Sequence, residues 1–290
     1  MKRRTFVQSL MLFGTAPYLL ASTTNKMNKH VSIQLLRHAT LVITIKNLKL
    51  LIDPMLSPKD GLDPVQNCGN DIRFPMVELP VNPTELNKIL NDVDAIVVTH
   101  THRDHWDATA QELIDKNKPV FCQPNDSEKI RAQGFNNVHP IDTQMDWEGI
   151  TISRTTGNHG TGEIGKKMGE VSGFVFASGN ESVYVAGDTI WCEGVEKALS
   201  DFKPKVTILN AGGAKFLTGD PITMTPDDIV KVHEKLPQTK IIAVHMDTLN
   251  HCFIKRTDLS KALLQNKLMS DILIPDDGEM IKIMNIRSFT

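Results

Sequence analysis

The 290-residue chain is poor in tyrosine, with two, and in cysteine, with four. Cys68, Cys122, Cys192 and Cys252 stand far apart, without the Cys-x-x-Cys spacing of zinc ribbons or dithiol redox sites. Isolated cysteines of this kind are expected to be buried apolar fillers, although four of them in an oxidising compartment would allow three pairings. None precedes Cys68, so an N-terminal lipid-bearing cysteine is not expected. Blocks of Lys and Arg are missing as well, and the formal net charge is −2. Binding to nucleic acid through phosphate neutralisation is therefore not expected. There is no fixed-period repeat and, after residue 30, no low-complexity linker. With 40% hydrophobic and 23% charged residues, the chain has an ordinary globular composition and can build a core that keeps water from a site.

The N-terminal stretch MKRRTFVQSLMLFGTAPYLLAS differs from the rest. Lys2, Arg3 and Arg4 lead into an apolar segment broken by Gly14 and Pro17. That segment is shorter than the ~20 residues that span a bilayer. Residues 1–22 are therefore expected to be an export signal rather than a stable membrane anchor, the alternative being a basic tail. Arg3-Arg4-Thr5-Phe6 resembles a twin-arginine signal, which implies a periplasmic destination. Residues 23–30 read as a linker and 31–290 as one domain.

From Val31 to Leu56, apolar runs and alternation predict β-structure with a turn at Lys46-Asn47. Residues 61–81, rich in Pro, Gly, Asn and Asp, predict a long surface loop. NPTELNKILNDV predicts a helix capped by Asn82 or Thr84. DAIVVTH reads as a buried strand and DATAQELIDKN as a helix. PVFCQP, ITISRTT, SGFVFAS, SVYVAGDT, VTILNAG, KIIAVHM and MIKIMNI read as further strands. TPDDIVKVHEKL and TDLSKALLQNKL read as helices with Thr at the N-cap. Many short strands alternating with helices point to one α/β domain.

Between strand and helix stands HTHRDH, with His100, His102, Asp104 and His105. A turn has no use for three imidazoles, whereas imidazole and carboxylate together bind divalent transition metals. His100 and His102, two apart, project to one side of an extended backbone. Asp104 and His105 follow where the chain turns. Four ligands in six residues exceed what one tetrahedral ion takes from so short a segment, so a two-metal site is indicated. Further candidates stand at the ends of other predicted strands: His159 after ITISRTT, Asp188 in VYVAGDT and His245 in IIAVHMDT.

HTHRDH resembles the HxHxDH signature of the metallo-β-lactamase superfamily, and the order of His159, Asp188 and His245 fits it. LRHATLVI…LLIDPML and GEVSGFVF…VYVAGDT resemble its one-domain branch, which includes L-ascorbate-6-phosphate lactonase-like enzymes. More distantly, the resemblance extends to N-acylphosphatidylethanolamine phospholipase D-like enzymes. The resemblance implies a four-layer αββα sandwich. It further implies that His100, His102 and His159 hold one metal, that Asp104, His105 and His245 hold a second, and that Asp188 bridges them. The ions expected are zinc, with manganese or iron as alternatives. Asp53 in LIDP either orients an imidazole ligand, as in that family, or caps the turn before Pro54.

Several other residues have ordinary explanations. Asp107 is explained as a helix N-cap. His38 fits a hydrogen-bonded core histidine or a pocket residue. His251, on a loop beyond His245, could contact substrate or donate a proton. His30, His139 and His233 read as surface residues, Gly212-Gly213 as a tight turn, and Trp106 and Trp191 as packing.

The expected activity is metal-dependent hydrolysis of a small-molecule ester or lactone. Two ions sharing Asp188 would lower the pKa of a bridging water, and Asp188 or Asp104 would relay a proton to the leaving group. The alternatives are phosphodiester hydrolysis, or a metal-binding module without catalysis. With Tyr18 and Tyr184 outside the site loops, a tyrosine-assisted lactonase is disfavoured.

Overall fold

The structure, a computed structural model, describes residues 31–283. The expected export signal, the linker, His30, Tyr18 and residues 284–290 lie outside the described residues. The first half of the chain runs β1 (Val31–Arg37), β2 (Thr40–Ile45), β3 (Leu48–Ile52), α1 (Pro83–Asp92), β4 (Ala95–Val98), α2 (Ala108–Leu113), β5 (Val120–Cys122), α3 (Ser127–Ala132) and β6 (Val138–Pro140). The second half starts β7 (Gln144–Trp147), β8 (Ile150–Thr156), α4 (Gly162–Met168), β9 (Ser172–Ser178) and β10 (Glu181–Val185). It continues α5 (Glu193–Phe202), β11 (Val206–Asn210), α6 (Pro226–Lys235), β12 (Lys240–Val244), α7 (Arg256–Gln265), β13 (Ile272–Leu273) and β14 (Met280–Ile283).

These strands form two mixed sheets of seven, in the orders β14-β1-β2-β3-β4-β5-β6 and β13-β12-β11-β10-β9-β8-β7. Each sheet is antiparallel on one side and parallel on the other. Alternating side chains divide each strand between two apolar layers. On β4, Ala95 and Val97 face the opposite sheet, joining Ile43, Phe121, Ile152, Phe176 and Ile208. Ile96 and Val98 of the same strand face outward, against Leu86 and Leu90 of α1 and Ile130 of α3. On the other side, Tyr184, Leu209 and Ile241 pack on Val195 of α5, Ile229 of α6 and Leu259 of α7. The result is helix, sheet, sheet, helix. Burial on both faces is why the strands read as continuous apolar runs rather than alternating ones.

Most capping expectations hold. Asn82 caps α1 in a reciprocal box with Glu85, and Thr225 does the same for α6 with Asp228. Asp107 caps α2. The start of α7 differs from expectation: Lys255 takes the cap position and Thr257 lies in the first turn, with Asp258 Oδ2 accepting the Lys255 N–H at 3.2 Å. Helices α4 and α5 begin without any side-chain cap bond, which leaves their starts without a local sequence signal.

All four cysteines are free thiols, three of them buried. Tyr184 lies in the core with its hydroxyl 3.4 Å from Thr155. Residues 61–81 form an irregular loop whose arms meet at a Leu62–Phe74 bridge. The loop is fixed at its base by the buried Arg37, which donates to the carbonyls of Met55, Ser57 and Val77. Among the described residues, no helix is long and apolar enough to cross a membrane.

Phe176, fully buried between the sheets, is expected to cost about 3–5 kcal/mol when replaced by alanine. Asn82→Ala, which removes one helix cap, is expected to cost about 1 kcal/mol. Urea unfolding midpoints of the two variants check this ordering.

Candidate metal centre

Every residue the sequence proposes for the site comes to one end of the interface between the two sheets. His100 and His102 follow β4, Asp104 and His105 occupy the turn into α2, His159 follows β8, Asp188 follows β10 and His245 follows β12. The turn is tight because the N–H groups of His105 and Trp106 both donate to the His102 carbonyl, at 3.0 and 2.9 Å. Ligand-type atoms of His100, His102 and His159 all lie within 4.8 Å of one another. Those of Asp104, His105, His245 and also His38 do the same, as do those of His100, His105 and Asp188.

Asp188 stands between the groups. Its Oδ2 lies 3.5 Å from His159 Nε2 and 3.3 Å from His105 Nε2, and its Oδ1 is 3.2 Å from His245 Nε2. Asp104 Oδ2 lies 3.3 Å from His105 Nε2, 3.4 Å from His38 Nε2 and 3.6 Å from His245 Nε2. His100 Nε2 and His102 Nδ1 are 2.9 Å apart.

The imidazoles are held from behind. His105 Nδ1 is 2.9 Å from Asp53 Oδ2, and the same carboxylate accepts the Thr99 N–H and hydroxyl, each at 2.7 Å. His159 Nδ1 meets the Ile222 carbonyl at 2.8 Å, and His100 Nδ1 meets Thr99 Oγ1 at 3.1 Å. His245 Nδ1 lies 3.6 Å from Cys252 Sγ. Asn210 Nδ2 donates to Asp188 Oδ1 at 2.6 Å. Of the alternatives for Asp53, the orienting one matches this geometry. His38, Asp53 and His245 all have positive φ, at 61°, 44° and 68°, a conformation non-glycine residues seldom hold without tertiary support.

The chemistry of the donor set fits divalent ions. His105 Nε2 and His245 Nε2 are buried and make no hydrogen bond, although both lie near carboxylate oxygens. Atoms sharing a cation take this arrangement: with metal–ligand bonds of about 2.0–2.2 Å, donors sit about 3 Å apart and direct their lone pairs inward. Burial pushes His100 well below its usual pKa, and His105 and His102 add to the effect. Burial acts the same way on His105 and His245, but the carboxylates, Asp188 foremost, outweigh it and raise both. Burial would raise Asp104 and Asp188, yet the facing His105 and His245 hold both well below the carboxylate range. Clustered charges of this kind mark functional sites.

A cavity of about 340 Å³ opens beside the centre, lined by His102, Asp104, His159 and Asp188, together with His251, Arg103, Val65, Gln66, Asn67, Met168 and Phe216. His251 is buried with Nδ1 unpartnered, and burial pushes its pKa down to about 4. Val65, Met168 and Phe216 belong to a small apolar cluster with Phe74 and Leu249 that roofs this end of the sandwich. Gly213 takes φ 52° in a tight turn, and a Cβ on Gly212 would lie 2.2 Å from the His245 carbonyl oxygen. Trp106 packs on Phe135, and Trp191 packs against the core of the second sheet. His139 and His233 lie away from the centre and are half-buried. Sequence reasoning missed Thr99, Asn210, Cys252 and the Ile222 carbonyl, which carry no motif and act through spatial neighbours.

Comparison with known proteins accords with this architecture. The model of the β-lactamase superfamily domain matches residues 49–246. The UPF0173 protein YddR of Bacillus subtilis is 38% identical over 253 residues, covering 86% of this chain and 98% of YddR. The crystal structure of "a possible metal-dependent hydrolase" from Veillonella parvula superposes with a TM-score of 0.83 at 40% identity, over 87% of this chain and 99% of that one. An isothiocyanate hydrolase from Delia radicum gut bacteria gives 0.81 at 36% identity, over 86% and 98%. The chain belongs to the β-lactamase superfamily, among the UPF0173 metal-dependent hydrolases.

Asp53→Asn keeps an acceptor for the Thr99 N–H but presents an amide to His105. It is expected to lower metal affinity by about 10–100-fold. Competition with a chromogenic chelator measures the change, and circular dichroism checks that the fold persists.

Proposed function

We propose that the centre holds two divalent ions and hydrolyses a small, uncharged carbon electrophile. His100, His102 and His159 would hold one ion and Asp104, His105 and His245 the other, with Asp188 between them. Zinc suits the imidazole-rich set, and manganese or iron suits it also. The observation that carries this reading is the pair of buried, unbonded imidazole nitrogens on His105 and His245 facing two carboxylates. Ions bound there supply Lewis acidity and a water ionisable near neutral pH.

The chain's own residues do the rest. The Thr99, Asp53 and Ile222 contacts fix the imidazoles, so little reorganisation accompanies reaction. Asp104 and Asp188, ionised and facing the cavity, can take a proton from the attacking water and pass it to the leaving atom. His251, with a free ring nitrogen in the cavity wall, can hydrogen-bond the substrate. The apolar part of the substrate would lie against Val65, Met168 and Phe216.

The cavity lining favours an uncharged substrate. Its one Lys or Arg side chain, Arg103, is committed to the Pro64 carbonyl at 3.0 Å and stacks 4.7 Å from the centre of the Phe74 ring. A phosphodiester would therefore meet a single guanidinium, held against Pro64 and Phe74, and no ammonium. The isothiocyanate hydrolase neighbour supports an electrophilic carbon as the point of attack. For an isothiocyanate, water oxygen bonds to the central carbon and the C–N bond breaks. Both water protons end on nitrogen, and the products are an amine and carbonyl sulfide. Ester or lactone opening requires the same addition at an acyl carbon. We also propose that residues 1–22 direct export to the periplasm, with 23–30 as a linker to the enzyme domain of residues 31–290.

The test is turnover by the purified, metal-analysed protein on isothiocyanates, lactones, phosphodiesters and β-lactams. Hydrolysis of a carbon electrophile is expected, with loss to background in His102→Ala and Asp188→Ala while both remain folded. Preference for phosphodiesters, or a full metal load with no turnover of any class, would reject the proposal.

A further inference from the structure

We propose that Asn250 is a positioning residue that decides which substrates the cavity accepts, by clamping Val65, Gln66 and Asn67 over it. This rests on the hydrolase reading of the same site. The Asn250 side chain is buried and spends both ends of its amide on one loop residue. Oδ1 accepts the Val65 N–H and Nδ2 donates to the Val65 carbonyl, each at 3.0 Å. Nδ2 also lies 2.8 Å from Cys68 Sγ, and the Asn250 carbonyl accepts from Asn70 Nδ2 at 2.9 Å. A planar amide pairing with both backbone groups of one residue imitates a neighbouring strand, for a loop segment that has none.

Two further ties follow the same pattern. Arg103 donates to the Pro64 carbonyl, and the Leu217 N–H donates to the Asn67 carbonyl at 2.8 Å. Each tie comes from a residue adjacent in sequence to a cavity liner: Arg103 beside His102 and Asp104, Asn250 beside His251, and Leu217 beside Phe216. The roof is thus registered to the catalytic wall through the backbone of the loop; Gln66 Nε2 adds a bond to the Pro64 carbonyl at 3.2 Å, and the Asn67 side chain lines the cavity beside it. The Asn250 hydrogen bonds all go to residues 65–70 and none to the His/Asp cluster, so its effect is on placement of the substrate.

The test uses the metal-loaded full chain with Asn250→Ala and the milder Asn250→Asp, which keeps the acceptor for Val65 and loses the donor. For Asn250→Ala, kcat/KM is expected to fall about 10–100-fold. The fall should reside in KM, differ between compact and bulky substrates, and leave metal stoichiometry unchanged. Asn250→Asp should fall between Asn250→Ala and the parent. Amide exchange at Val65 should accelerate at least about tenfold, since the opening no longer breaks the clamp. Unchanged KM and unchanged Val65 exchange would overturn the proposal, as would loss of metal accompanying the kinetic change. Val65 exchange needs no substrate. A parent without turnover would therefore reject the hydrolase reading, while the exchange measurement still upholds or overturns the clamp.

Discussion

Two carboxylates buried at one end of a sandwich set the terms for everything around them. Asp104 and Asp188 are nearly inaccessible, and like charges removed from water are tolerable only where positive charge or dense hydrogen bonding accompanies them. Six imidazoles crowd the same volume: His38, His100, His102, His105, His159 and His245. The imidazoles in turn require acceptors at their far nitrogens, which Asp53, Thr99 and the Ile222 carbonyl provide. The positive φ values at His38, Asp53 and His245 fit this view. Backbone preference has been overridden where the side chain must reach the centre.

The cavity beside the centre is built on the same balance. Most of its polar wall is formed by groups committed to one another, and its apolar lining is a cluster shared by Val65 of the irregular loop, Met168 of α4 and Phe216. Arg37 fixes the base of that loop by holding three carbonyls. The segment over the cavity is therefore placed by backbone bonds although it lacks regular structure. A rigid sheet end carrying the reactive groups beneath a separately anchored loop is a common way to join fixed chemistry to variable recognition.

Much of this was legible in the sequence, and the exceptions have physical causes. HTHRDH announces itself because no turn or core explains three imidazoles in six residues. His159, Asp188 and His245 stand out because each ends an apolar strand, and the structure brings them beside that motif. The continuous apolar strands indicate one α/β domain covered by helices, whereas the four layers are implied only by the resemblance to the metallo-β-lactamase superfamily. By contrast, Asn210, Cys252 and Ile222 act through atoms whose neighbours are set only by tertiary approach. Asn250 looks like any loop amide until its two bonds to Val65 are seen. Helices α4 and α5 lack side-chain caps, so their starts carried weak local signals, and α7 begins at Arg256 with Lys255 rather than Thr257 at the cap.

The centre draws on both halves of the chain: His38, Asp53 and residues 100–105 precede the midpoint, whereas His159, Asp188 and His245 follow it. During synthesis at about 5–20 residues per second, the nascent chain therefore carries an incomplete set of donors for on the order of ten seconds between His105 and His245. Full coordination must await docking of the second sheet onto the first. A ribosome-bound fragment ending before β12 would already carry His100, His102, His159 and Asp188, and would lack only His245 beside Asp104 and His105.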